Sequence, residues 1–125
     1  MEHSFSVELA SQYGVEGAIL VRHLQTWIIL NKAKGKDLHE GHTWTYGTAE
    51  EYARIFPYFS VKQIRRILAN LAKQKVIRVS RFNKFPWDRT LWYAFENERE
   101  MLQGVCAKGV RRYLKRKKTT PGPET

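Results

Sequence analysis

An α+β fold is predicted for this 125-residue chain by three features that follow one another between Thr48 and Phe95. Thr48-x-x-Glu51 and Ser60-x-x-Gln63 are two capping boxes with Pro57 between them, the pattern of two short helices meeting at a tight turn. Behind them, Val76 to Phe82 alternates apolar and basic residues, and Arg89 to Phe95 returns as a second strand after a turn over Asn83–Asp88. Exposed charge over this stretch is nearly all positive: between Ser60 and Thr90, Lys62, Arg65, Arg66, Lys73, Lys75, Arg78, Arg81, Lys84 and Arg89 are set against Asp88. Two helices and then a cationic hairpin are the layout of a winged helix-turn-helix, a three-helix core plus a β-hairpin wing. The expected organisation is a winged-helix domain over residues 1–105 and a basic, disordered tail over 106–125.

Taken in order, Ser6 or Ser4 can cap a short first helix that ends near Tyr13-Gly14, where glycine suits a stop. Val15 to Lys32 follows as a longer helix with Leu20, Val21, Leu24, Trp27 and Ile28 at helical spacing. Ile19, Ile29 and Leu30 widen that face, which predicts a central, buried helix and makes dimerisation through it the less favoured alternative. Lys34-Gly35-Lys36-Asp37 breaks the helix, and Trp44-Thr45-Tyr46 is a short strand. The helix opened by Thr48 carries Tyr52, Ala53 and Phe56 on one side and stops at Pro57. The helix opened by Ser60 buries Ile64, Ile67, Leu68 and Leu71. On its opposite face stand Lys62, Arg66, Ala69 and Lys73, flanked by Arg65 on one side and by Gln63 and Asn70 on the other. Asn97 to Val105 is the last predicted helix.

Net charge is +10 and the isoelectric point near 9.9, which favours partners that carry phosphates or acidic surfaces. Ala107 to Lys118 alone holds seven cations and no acid, a segment that suits a sequence-independent phosphate grip, a linker or a solubilising end. Cys106 is the only cysteine, so no intramolecular disulfide can form and a reducing compartment is expected. Without a signal-peptide pattern or a bilayer-length apolar run, the expected location is the cytoplasm, with no membrane partner.

The polar face of the Ser60 helix carries no acid over fifteen residues. Such a helix is about 22 Å long and fits a duplex major groove about 12 Å wide. Arg66, Gln63 and Asn70 are candidates for reading base edges, because arginine pairs with guanine and a side-chain amide with adenine in bidentate fashion. Lys62, Arg65 and Lys73 suit phosphates. In the wing, Arg78, Arg81, Lys84 and Arg89 flank Phe82, Phe85 and Trp87. The cations suit the DNA backbone, and an exposed Phe85 or Trp87 could stack on unpaired bases unless the aromatics fold back onto the body. The expected DNA-binding set is therefore Ser60, Lys62, Gln63, Arg65, Arg66, Asn70, Lys73, Arg78, Arg81, Asn83, Lys84 and Arg89. His39-Glu40-Gly41-His42 has two histidines and a carboxylate but neither HExxH spacing nor a nearby cysteine, and reads as a polar loop. His23 and Cys106 have no catalytic neighbours in the sequence and no glycine-rich phosphate loop is present, so neither enzyme activity nor a cofactor is expected.

The chain resembles the N-terminal winged-helix domains of phage replication initiators and replisome organisers, in the style of the DnaD-like primosomal proteins. The residues that carry the likeness are Thr43-Trp44-Thr45-Tyr46, Ile55-Phe56-Pro57, Ser60 with Lys62-Gln63-Ile64-Arg65-Arg66-Ile67-Leu68, Asn83-Lys84, and Asp88-Arg89-Thr90 leading into Trp92-Tyr93-Ala94. The likeness covers roughly Val15 to Phe95. The resemblance implies binding of double-stranded DNA at a replication origin and recruitment of replisome or helicase-loading proteins. A transcriptional regulator is the alternative within the same fold, and a protein-interaction or dimerisation module the alternative outside it. Lys75 stands where such domains often place glycine, which argues against a left-handed residue after the Ser60 helix.

Overall fold

The computed structural model describes residues 6–105 and Lys108; the remainder of the basic segment and Cys106, for which a disordered tail was expected, lie outside the described residues. The chain is α+β, with four helices and two small antiparallel sheets among the described residues. In order these are α1 (Val7–Ala33), β1 (Leu38–His39), β2 (His42–Thr43), β3 (Thr45–Gly47), α2 (Ala49–Ile55), α3 (Val61–Lys73), β4 (Ile77–Ser80), β5 (Leu91–Phe95) and α4 (Glu98–Met101). This order is compatible with a winged helix.

Helix starts lie where the capping residues put them. The Ser6 Oγ accepts from Leu9 N–H at 3.3 Å and opens α1. Both reciprocal boxes form: Thr48 Oγ1 accepts from Glu51 N–H while the Glu51 carboxylate accepts from Thr48 N–H, and Ser60 with Gln63 does the same. Four backbone donors that would otherwise be orphaned are thereby satisfied. α1 is interrupted at Gly14, whose φ of 78° and ψ of 163° are open to glycine and closed to most L-residues. The chain thus turns between a short N-terminal helical segment and the long buried one.

That long segment is the centre of the molecule. Leu20, Leu24 and Ile28 of α1 are fully buried against Tyr52, Ile64, Leu71, Ile77 and Phe95. Gly17 leaves room for Tyr13 across the Gly14 interruption, since a Cβ there would stand 3.0 Å from the Tyr13 Cβ, whereas a Leu71 methyl of α3 would be in ordinary contact at 3.6 Å. In the three-stranded sheet β5 lies between β3 and β4, in registers that pair Tyr46 with Trp92 and Val79 with Tyr93. A second, aromatic cluster of Trp44, Trp92 and Ala94, with Tyr46 and Phe82 against it, covers the far side of this sheet. Buried polar groups tie the elements together. The Asn31 amide donates to the Trp44 carbonyl and the Gln25 amide to the Met101 carbonyl, each at 2.8 Å.

After α3 the backbone departs from expectation. Lys75 has φ of 60°, a left-handed residue without the usual glycine. Its N–H donates to the Ala72 carbonyl and the Val76 N–H to the Leu71 carbonyl, each at 3.0 Å. This is a Schellman closure: two otherwise orphaned carbonyls are satisfied, and the chain is aimed directly into β4. Two hydrogen bonds and the burial of Val76 and Ile77 outweigh the roughly 1–2 kcal/mol that an L-residue spends in this conformation. The last helix is also shorter than the predicted Asn97–Val105. α4 is one turn, capped by the Asn97 side chain, after which Gly104 takes a positive φ.

Candidate nucleic-acid interface

The stripe of α3 opposite its buried face is exposed at Lys62, Arg65, Arg66, Ala69, Asn70 and Lys73, as its 3.6-residue period predicts. Tertiary packing divides that stripe in two. Arg65 and Ala69 face a cleft of about 880 Å³ whose other wall is the hairpin loop with Phe85, Trp87 and Arg89, and whose third side is the start of α2 at Thr48–Glu50. Arg66 and Asn70 border a smaller hollow of about 220 Å³ beside the Gly14 interruption of α1. The floor of the larger cleft is apolar, made by Leu68, Val79, Leu91 and Tyr93. Burial pushes the Tyr93 phenol up to about 12, so that floor is neutral at ordinary pH.

The expectation of an almost purely positive surface is corrected by these neighbours. Arg65 donates to Glu50 at 3.0 Å and Arg66 to Glu16 at 2.9 Å. Both carboxylates come from other helices, so the absence of acids along α3 does not keep acids away from its face. All four side chains are between 45% and 65% exposed, and exposed pairs of this kind contribute about 0–1 kcal/mol. A phosphate or a guanine edge can therefore take either arginine from its carboxylate at small cost. Arg78 is held more closely. Its guanidinium donates to Glu96 at 2.8 Å from Nε and stands 2.7 Å away at NH2, across the β4–β5 ladder.

Three further residues of the expected set are engaged in structure, the first being Ser60, whose Oγ accepts from Gln63 N–H at 3.1 Å. Gln63 Oε1 accepts from Ser60 N–H at 2.8 Å, so a bidentate pairing of Gln63 with adenine would have to break the cap that starts α3. Asn83 is the internal brace of the hairpin loop. Its amide donates to the Asp88 and Thr90 carbonyls, each at 2.8 Å, and its Oδ1 accepts from Trp92 Nε1 at 2.6 Å. Asp88 closes the same turn by accepting from Thr90 N–H at 3.0 Å, and that hydrogen bond lowers its carboxyl below the ordinary value of 3.8. Lys62, Lys73, Arg81, Lys84 and Arg89 are exposed and have no ion pair among the described residues.

The hairpin aromatics separate into two groups. Phe82 folds back, stacked on His39 with ring centres 4.3 Å apart and edge-on to Trp44 and Trp92. Phe85 and Trp87 stay outside, 46% and 74% exposed, and lie parallel to each other with centres 4.8 Å apart. His39 thus belongs to the aromatic cluster, and its carbonyl accepts from Trp44 Nε1 at 2.8 Å. Sequence reasoning missed Glu16 and Glu50, which no local pattern ties to α3, and the apolar floor of the cleft. Ala69, a small residue among the cations of the exposed stripe, was the one available sign that the face holds a recess.

Comparisons with protein-family models, with curated proteins and with solved structures give no match. Among the described residues, no helix is long and apolar enough to cross a membrane.

Proposed function

We propose that the chain is a winged-helix protein that binds double-stranded DNA, with α3 in the major groove and the β4–β5 hairpin on adjacent backbone. The observation that carries this reading is convergence. The outward face of α3 and the cationic hairpin loop, distant in sequence, wall the same cleft, with Arg65 on one side and Arg89 on the other. A single bound polyanion could reach both. Lys62, Lys73, Arg81, Lys84 and Arg89 serve as phosphate contacts, and Arg66 and Asn70 as candidates for base edges. The resemblance to replication initiators adds the role: origin recognition, with replisome or helicase-loading proteins as further partners.

The test is salt dependence. Five freely available cations on five phosphates predict that log affinity for duplex DNA falls with log salt at a slope of about −4 to −5. The measurement is anisotropy of a labelled duplex titrated with protein at several salt concentrations. A slope near zero, or no binding at low salt, overturns the reading. Selection of binding sites from random duplexes then separates sequence-specific recognition from general affinity for phosphate.

A further inference from the structure

Trp87 is the most exposed aromatic side chain among the described residues, and it is not exposed for want of a hydrophobic site nearby. Phe82 in the same loop and Trp92 on the adjoining strand are both packed into the aromatic cluster. The loop braced by Asn83 instead holds Phe85 and Trp87 outside, on either side of Pro86, as two parallel rings inclined by 15°. Large apolar rings presented on a braced turn mark an interaction surface. The ladder continues to a cation, since Lys84 Nζ stands 5.6 Å from the centre of the Phe85 ring. Arg89 borders the same cleft, which Ala69, Val79 and Leu91 also line. The acids of the cleft are few: Glu50 is paired with Arg65, and Asp88 accepts from the Thr90 backbone.

From this juxtaposition we infer that Phe85 and Trp87 form a stacking platform for an unpaired nucleobase, with Lys84 and Arg89 taking the phosphates on either side of it. The inference rests on the nucleic-acid reading above and deepens it: the preferred ligand is a duplex that adjoins a single-stranded stretch. Aromatic rings stack on any base because every base has a π face, and cations beside them follow the backbone. The charged rim favours such a ligand over an apolar peptide, which would leave Lys84 and Arg89 without partners. The cleft volume falls within the range of about 300–1,000 Å³ that accommodates small organic groups.

The experiment compares three labelled DNAs: a blunt duplex, the same duplex with a forked end, and the single strand alone. Each is titrated by anisotropy with wild type, Trp87→Ala, Phe85→Ala and Trp87→Phe, and circular dichroism and sedimentation are run on each protein. The expected result is a fork bound on the order of tenfold more tightly than the blunt duplex, as one base–aromatic stack predicts. Trp87→Ala and Phe85→Ala should each reduce this preference towards one while leaving blunt-duplex affinity unchanged, and Trp87→Phe should keep most of it. Equal wild-type affinity for fork and blunt duplex overturns the platform and leaves duplex binding standing. Equal losses on fork and duplex in Trp87→Ala overturn it too, as does a dimer that Trp87→Ala converts to monomer, which would make a second copy the occupant. Single-strand binding that is lost in Trp87→Ala, with no duplex binding, supports the platform and removes the duplex reading. Failure of every DNA to bind overturns both.

Discussion

The exposed stripe of α3 and the β4–β5 loop look alike in sequence, each a run of cations interrupted by few other polar residues. In three dimensions they differ. The two arginines of the stripe face Glu50 and Glu16, which arrive from α2 and α1, whereas Arg81, Lys84 and Arg89 of the loop have no ion pair among the described residues. The loop spends its polar groups on itself instead, with Asn83 and Asp88 closing it and Trp92 bonded to its interior. A helix packed between two others acquires whatever charges its neighbours carry. A hairpin that projects from the body keeps its own. Cationic character counted along a segment is therefore a safer guide for a projecting loop than for a packed helix.

The sharpest way to break this contrast is to remove the brace. Asn83→Ala deletes two donated hydrogen bonds and leaves Trp92 Nε1 without its acceptor. It should lower stability by about 2–3 kcal/mol in urea unfolding. A loss below about 0.5 kcal/mol would mean that the loop keeps its shape without the amide. On α3, Arg66→Ala should weaken binding to a selected duplex by about 1–2 kcal/mol and relax base preference, whereas Lys73→Ala should weaken all duplexes alike. Identical behaviour of wild type and Arg66→Ala towards cognate and scrambled duplexes would remove Arg66 from the base-reading role. Glu16→Gln is the converse experiment: releasing the guanidinium should raise affinity for the selected duplex more than for a scrambled one, with the salt slope changed by less than the roughly 0.9 of a phosphate contact. Its cost in stability should stay within about 1 kcal/mol.

Smaller still is the effect at the end of α3. Lys75→Gly relieves a left-handed L-residue and should raise stability by about 1 kcal/mol, with thermal unfolding as the readout. A decrease would show that the lysine side chain contributes more than its backbone costs. The last comparison is between two aspartates. In the hairpin loop, Asp88 has a folded-state carboxyl below 3.8, so its contribution is fully present above that pH and is lost as the pH falls through the lower, folded value. Asp37, in the turn after α1, is raised above 3.8, chiefly by burial. Its contribution is fully present below 3.8 and is lost as the pH rises through the folded value. Asp88→Asn should therefore diminish stability fully above pH 3.8 and by progressively less as pH falls through the folded value, and Asp37→Asn should preserve it as pH rises. pH-dependent unfolding of both variants checks the opposed signs.

Much of the scaffold could be read locally. Ser6, Thr48 and Ser60 each start a helix because a side-chain oxygen satisfies a nearby N–H, and Gly14 interrupts one because it alone tolerates that backbone angle. The strands around Ile77 and Tyr93 and the buried stripe of α3 follow from periodicity. All of these are interactions between residues three or four apart, or repeats that face one common core, and the amino-acid sequence by itself contains them.

Tertiary structure decided the rest. Lys75 is left-handed because β4 has to begin there and two carbonyls of α3 need donors, a demand that overrides residue preference. Phe82 went inward against Trp44 and Trp92 on the sheet's far face, while Phe85 and Trp87, on the loop braced by Asn83, stayed out at the mouth of the cleft. Glu16 and Glu50 met their arginines fifty and fifteen residues away. Coulomb interactions and aromatic burial act across space rather than along the chain, so which cations remain available to a partner is a property of the packed molecule.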